Sequence, residues 1–155
     1  MTSSDKSRKI AFACDHRGYI LKAPIFEVLK KMKYEVIDCG TDSEDSVDYP
    51  DFMIPAAEKV KEGICERAIG VCHSGIGSAI AANKVPGVRA ALVHTVEQAK
   101  LSRAHNNSNM LILASGFISQ EILPELIETW LNTPFEGGRH ERRVDKIQNY
   151  EQNCD

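Results

Sequence analysis

The sequence predicts an α/β fold, a three-layer α/β/α sandwich on a five-stranded parallel sheet. Three observations carry that expectation. Apolar runs of strand length alternate with helical stretches five times along the chain, the pattern of repeated β–α units that places strands parallel. The strand runs are apolar almost throughout, as in strands covered on both faces. No internal repeat, low-complexity segment or linker interrupts the pattern, so residues 1–155 read as one domain.

Residues 9–14 (KIAFAC) form the first strand and Asp15-His16-Arg17-Gly18 a polar turn. Leu21, Ile25, Leu29 and Met32 then recur at helical spacing, and Pro24 places the helix start near Ala23. Residues 34–39 (YEVIDC) form the second strand, followed by a long acidic loop that ends in Asp48-Tyr49-Pro50. A helix over 52–62, with Pro55 near its start, is closed by Gly63. Residues 67–71 make the third strand, and the small apolar stretch 76–83 suits a helix packed closely on the sheet. After the Pro86-Gly87 turn come a fourth strand over 88–93 (VRAALV) and a helix over 96–105. Asn106-Asn107 then turns the chain into a fifth strand over 109–114 (NMLILA). Ser119-Gln120-Glu121 caps a helix running to about Leu131. Beyond Thr133-Pro134 and Gly137-Gly138, residues 140–152 form a charged helix with Val144, Ile147 and Tyr150 on one side. Residues 1–8 read as a flexible lead-in and 137–155 as a terminal helix and tail.

A formal charge of −3 argues against a general nucleic-acid binder, since no basic face dominates. No apolar run approaches membrane-spanning length, and the polar N-terminus lacks a signal core, so a cytoplasmic protein is expected. Cys14, Cys39, Cys65, Cys72 and Cys154 are odd in number and widely spaced, without a CxxC pair. That pattern fits free thiols rather than a disulfide framework or a zinc site. No His-x-x-x-His pair and no carboxylate cluster has ligand spacing, so neither metal nor cofactor is expected.

The chemistry concentrates in Cys72-His73-Ser74-Gly75-Ile76-Gly77-Ser78, between the third strand and a short helix. Glycines let the backbone turn tightly and present N–H groups, and a helix start adds unpaired donors that favour anions. The same potential favours thiolate at a nearby cysteine. Gly75-x-Gly77 alone is weak evidence. The third glycine of the dinucleotide fingerprint is Ile80, the Walker A spacing is missing, and Ser78 stands where a cysteine phosphatase needs arginine. A buried cysteine before an ordinary tight turn is the competing structural reading. Ligands of such folds bind beyond the carboxyl ends of strands at a switch in strand order, so Asp15-His16 and Cys72-His73-Ser74 converge if strands one and three are neighbours.

Taken together, Ala13-Cys14-Asp15-His16-Arg17-Gly18, Asp48-Tyr49-Pro50, the loop from Cys72 to Lys84, Ser102-Arg103-Ala104-His105-Asn106-Asn107 and Gly137-Gly138-Arg139-His140-Glu141-Arg142-Arg143 closely resemble ribose-5-phosphate isomerase type B. That sugar-phosphate isomerase family includes galactose-6-phosphate isomerase subunits, and the likeness spans nearly the whole chain. It implies a Rossmann-like fold with strands one and three adjacent, and a metal-free aldose–ketose isomerase of the pentose phosphate pathway. It also implies a homodimer or homotetramer with active sites shared between subunits. Carried over, Cys72 is the base that moves a proton between C1 and C2 through a cis-enediolate. The amides of Ser74, Gly75, Gly77 and Ser78 hold the developing oxyanion, and His105 opens the sugar ring with help from the Ser74 hydroxyl. Asp15 and Asn106 contact sugar hydroxyls, and His16, Arg139 and Arg143 bind the phosphate. Two positions depart from the family. His73 stands where glycine or a small residue is common, and is placed at the rim in preference to contacting substrate or tuning Cys72; Gly116 stands where arginine commonly assists phosphate binding. Tyr49 either lines the site or packs under the loop. A hexose 6-phosphate such as allose or galactose 6-phosphate is the alternative substrate, and a nucleotide-binding regulatory module the alternative class. A thiol hydrolase lacks a placed His-Asp relay.

Overall fold

The computed structural model describes residues 8–154. Apart from Arg8, the lead-in expected over residues 1–8 lies outside them, as does Asp155. Among the described residues, five strands and six α-helices follow one another: β1 (Lys9–Cys14), α1 (Lys22–Lys31), β2 (Glu35–Asp38), α2 (Pro50–Lys61), β3 (Arg67–Cys72), α3 (Ile76–Ala82), β4 (Ala90–Leu92), α4 (Val96–Ala104), β5 (Met110–Ala114), α5 (Leu123–Asn132) and α6 (Arg139–Gln152). All pairings are parallel, in the order β2-β1-β3-β5-β4. β1 and β3 are neighbours, with Cys14 beside Val71, so the order reverses at the edge where the two polar loops emerge.

The sheet is coated unequally. On one face Ile10, Phe12, Ile69, Val71, Leu111 and Leu113 pack against Ile25 and Leu29 of α1, Ala99 of α4 and Leu126, Ile127 and Trp130 of α5. On the other, Ala11, Ala13, Ala68, Met110 and Ile112 meet Met53, Ala56 and Ala57 of α2 and Ala81 and Ala82 of α3. Gly70 belongs to this thinner layer: a Cβ there would lie 2.6 Å from Met53 Sδ. Alanine and glycine let α2 and α3 sit close to the strands, which fixes the loop after β3 tightly against its neighbours.

Among the differences in extent from the sequence reading, two have a local cause. The fourth strand begins only at Ala90, because Val88 N–H bonds back to the Val85 carbonyl and Arg89 N–H is taken by Asn109 Oδ1 at 2.7 Å. The helix expected from Ser119 starts as a single 3-10 turn, Gln120–Ile122, whose Glu121 N–H donates to Ser119 Oγ; α5 follows, with proline in its first turn. Among the described residues no helix is long and apolar enough to cross a membrane.

Candidate active site

Three loops are tied together at the carboxyl edge of the sheet. After β1, Asp15 is buried and its Oδ1 accepts from Arg17 N–H at 3.0 Å and Gly18 N–H at 2.9 Å, which closes the polar turn. Gly18 is pressed onto β3, since a Cβ there would lie 2.1 Å from the Val71 carbonyl oxygen. After β3, the carbonyls of Cys72 and His73 accept from Ser115 and Gly116 N–H, both at 2.9 Å, joining this loop to the one after β5. Ser115 Oγ donates to the Arg17 carbonyl at 2.8 Å and completes the ring of contacts. Cys72, 5 % exposed, ends β3 inside this frame.

The turn into α3 depends on glycine at two points. Gly75 has φ +76°, in the left-handed region, and a Cβ there would lie 2.4 Å from Leu92 Cδ1. Gly77 lies under the Tyr49 ring: a Cβ would meet its Cζ at 2.5 Å. Tyr49 therefore packs on the loop. Ser74 Oγ accepts from Ile76 N–H at 3.3 Å, and the first backbone bond of α3 runs from Ala79 N–H to the Gly75 carbonyl. The Gly77 and Ser78 amides are those that a helix start leaves without a carbonyl partner. Ser78 Oγ is fully buried and has no partner among the described residues.

His105 stands at the opposite edge. It caps the C-terminus of α4 and precedes β5, whose first residue pairs with Ala68 near the start of β3; Cys72 pairs with the last, Ala114. A six-residue strand separates the two edges by about 17 Å. The His105 ring stacks on His140, with centroids 4.2 Å apart and planes within 8°. Glu136 closes the group, its Oε1 lying 3.6 Å from His140 Nε2 and its N–H donating to the Ala104 carbonyl. Arg139 and Arg143, both exposed, flank His140 on α6. The expected site residues thus fall into two sets. Asp15, His16, Cys72, Ser74, Gly75, Gly77 and Ser78 lie at the carboxyl edge; His105, Asn106, Arg139 and Arg143 belong to the amino edge.

The tertiary structure alone brings Glu136 and His140 to His105. A glycine pair separates Glu136 from α6, so no periodicity announces the cluster. Donor atoms of the three lie within 4.8 Å of one another.

A family model described as Ribose/Galactose Isomerase matches residues 10–147. The chain belongs to this family. It is 41 % identical to ribose-5-phosphate isomerase B of Escherichia coli (strain K12), covering 94 % of this chain and 97 % of that one. Among solved structures, ribose-5-phosphate isomerase B of Clostridium thermocellum is 48 % identical with a TM-score of 0.90, over 93 % of this chain and 97 % of the other. The enzyme of Mycoplasma genitalium with bound ribulose 5-phosphate is 42 % identical with a TM-score of 0.90, over 94 % and 97 %.

Within this ribose/galactose isomerase fold, the Ser102–Asn107 motif is largely a scaffold for His105. Arg103 is 7 % exposed and donates to Asn107 Oδ1 at 2.8 Å, to the Ser108 carbonyl and to the Thr133 carbonyl at 3.3 Å. Burial, with Arg67 and Arg89 nearby, pushes its guanidinium down to about 10. Ser108 Oγ in turn bonds Ser102 Oγ and the Trp130 indole N–H, each at 2.9 Å. Arg103→Met should cost about 2–4 kcal/mol, because buried carbonyls lose their donor. Urea denaturation checks this, and a loss under about 1 kcal/mol would show that the carbonyls find other partners.

His140, 7 % exposed, is held below the ordinary histidine range, first by burial, then by His105, Arg139 and Arg143, against the pull of Glu136. A depressed folded pKa means that the unfolded chain takes up this proton at higher pH. The contribution to stability is complete above the unfolded value of about 6.5 and is lost as pH falls through the folded value. His140→Gln should flatten the fall in unfolding free energy between about pH 7 and pH 5. An unchanged slope would assign that fall to other groups.

Proposed function

We propose that the protein is a metal-free isomerase interconverting ribose 5-phosphate and ribulose 5-phosphate, with residues 1–155 acting as one cytoplasmic domain. The observation that carries this reading is the buried thiol of Cys72 at the β1/β3 switch point, beside the first-turn amides of α3. Cys72 as thiolate removes the C2 proton of the open-chain aldose, and the electron pair moves onto the carbonyl oxygen as a cis-enediolate. The O2 hydroxyl proton passes to O1 and Cys72 returns a proton to C1, which gives the ketose and regenerates the base. The amides of Ser74, Gly75, Gly77 and Ser78 face the oxygen on which charge develops, and donors already fixed by the turn into α3 need no reorganisation during reaction. Asp15 has one carboxylate oxygen committed to its turn, which leaves Oδ2 for a sugar hydroxyl. His105 opens the furanose ring assisted by Ser74, Asn106 holds a hydroxyl, and His16, Arg139 and Arg143 take the phosphate. No step is assigned to a metal or a cofactor.

The separation of the two residue sets supports an active site shared between subunits of a homodimer or homotetramer. The surfaces such an assembly would cover are apolar: Ile76 and Ile80, one turn apart on α3, are each 58 % exposed, and Ile147 and Tyr150 on α6 are 57 % and 75 % exposed. Free thiols at all five cysteines suit a reducing compartment. A hexose 6-phosphate is the second candidate substrate, because the ribose/galactose family name spans both sugar classes. Incubation with ribose 5-phosphate, allose 6-phosphate and galactose 6-phosphate, following ketose formation, tests the reading. Turnover of ribose 5-phosphate with the highest kcat/KM is expected, and no turnover of any of the three would overturn it.

A further inference from the structure

A cleft of ≈ 400 Å³ opens beyond the carboxyl edge, lined by His16, Arg17, Glu44, His73, Ser115 and Gly116 among others. Arg17 and His73 have no part in the chemistry above, yet they are built into this cleft. The Arg17 guanidinium lies 3.2 Å from His73 Nδ1. Guanidinium only donates, so Nδ1 carries the lone pair and the proton of the neutral ring sits on Nε2. His16 is fixed in the same tautomer, since its Nδ1 accepts from Val47 N–H at 3.2 Å. The cleft wall therefore holds two imidazole Nε2–H donors and a guanidinium fork.

The backbone of Arg17 is held as well, by its N–H to Asp15 Oδ1 and its carbonyl to Ser115 Oγ. His73 owes its position to Gly116. A Cβ at 116 would lie 2.3 Å from the imidazole Cε1 and 2.7 Å from Nδ1, so any side chain there would evict the ring and remove the acceptor that orients Arg17. Phe117 flanks the ring, with centroids 5.8 Å apart.

We propose that Arg17, oriented by His73 over Gly116, binds the substrate phosphate together with His16. This rests on the sugar-phosphate reading and adds a phosphate ligand to it. The planar fork of Arg17 suits two phosphate oxygens, and His73 both aims the fork and offers its own Nε2–H. Glu44, exposed on the same wall, opposes the anion, and Glu44→Gln should tighten binding.

Calorimetric titration with inorganic phosphate and with ribose 5-phosphate, alongside steady-state kinetics, tests the assignment. Arg17→Ala should weaken both ligands about tenfold or more and raise KM more than it lowers kcat. Arg17→Lys keeps the charge without the fork and should recover only part of the affinity. His73→Gly should weaken phosphate binding, and His73→Gly/Gly116→Arg should restore it by delivering a guanidinium from the other side of the cleft. Unchanged phosphate affinity in Arg17→Ala would overturn the proposal. Arg17-dependent phosphate binding in a protein that isomerises no sugar phosphate would instead overturn the isomerase reading and leave this site in place.

Discussion

Cys72→Ala should abolish exchange of the substrate C2 proton with solvent while ribulose 5-phosphate still binds. A loss on the order of 10²–10⁴-fold or more is expected, the range that a positioned general base supplies. Cys72 sits at the end of β3, 5 % exposed, with its loop locked by the bonds to Ser115 and Gly116. Removing a thiol from that frame takes away the base and leaves the frame standing. The other buried thiols cannot substitute, for burial pushes Cys14 and Cys65 up to about 11. Neutral-pH alkylation that inactivates the enzyme should accordingly map to Cys72, with modification of exposed Cys154 silent. Tritium or deuterium exchange persisting near the wild-type rate in Cys72→Ala would remove it from the role of base.

Mixing two inactive variants, Cys72→Ala and His105→Ala, should restore activity. The expectation follows from the sheet: a residue at the carboxyl end of β3 and one preceding β5 stand about 17 Å apart across the same strands, too far to act on one small sugar within one chain. In a two-fold assembly, each site pairs the Cys72 edge of one subunit with the His105 edge of the other. A mixed dimer then holds one intact site and one doubly impaired site. Random exchange makes half of the dimers mixed, so recovery should approach about one quarter of wild-type activity. Mass spectrometry of the intact assembly confirms exchange. Complete exchange with no recovery would place both residues in one site of one chain and would contradict the separation seen across the sheet.

Much of the architecture was written in local sequence. KIAFAC is β1 to the residue, and residues 76–83 end within one position of α3, because unbroken apolar runs and small-residue helices have few alternatives in a buried sheet. Gly75 and Gly77 were legible as a tight turn because their chemistry is local. The family likeness, carried by five motifs in order, placed the thiol, the histidine and the arginines on the chain. Where these groups stand relative to one another was decided by tertiary structure alone. Strand order brought Asp15 to Cys72, a long-range outcome of crossover connections that no spacing encodes, whereas His105, in a helix-to-strand connection of a parallel sheet, falls at the far edge whatever that order. Stacking of His140 on His105 depends on how the chain turns at Gly137 and Gly138, and packing of Tyr49 on Gly77 joins segments far apart in sequence. The pairing of His73 with Gly116 is of the same kind. Read singly, each was an unexplained departure; in space, the missing side chain of one is the room that the other occupies, and steric exclusion across two loops can be seen only once the loops have met.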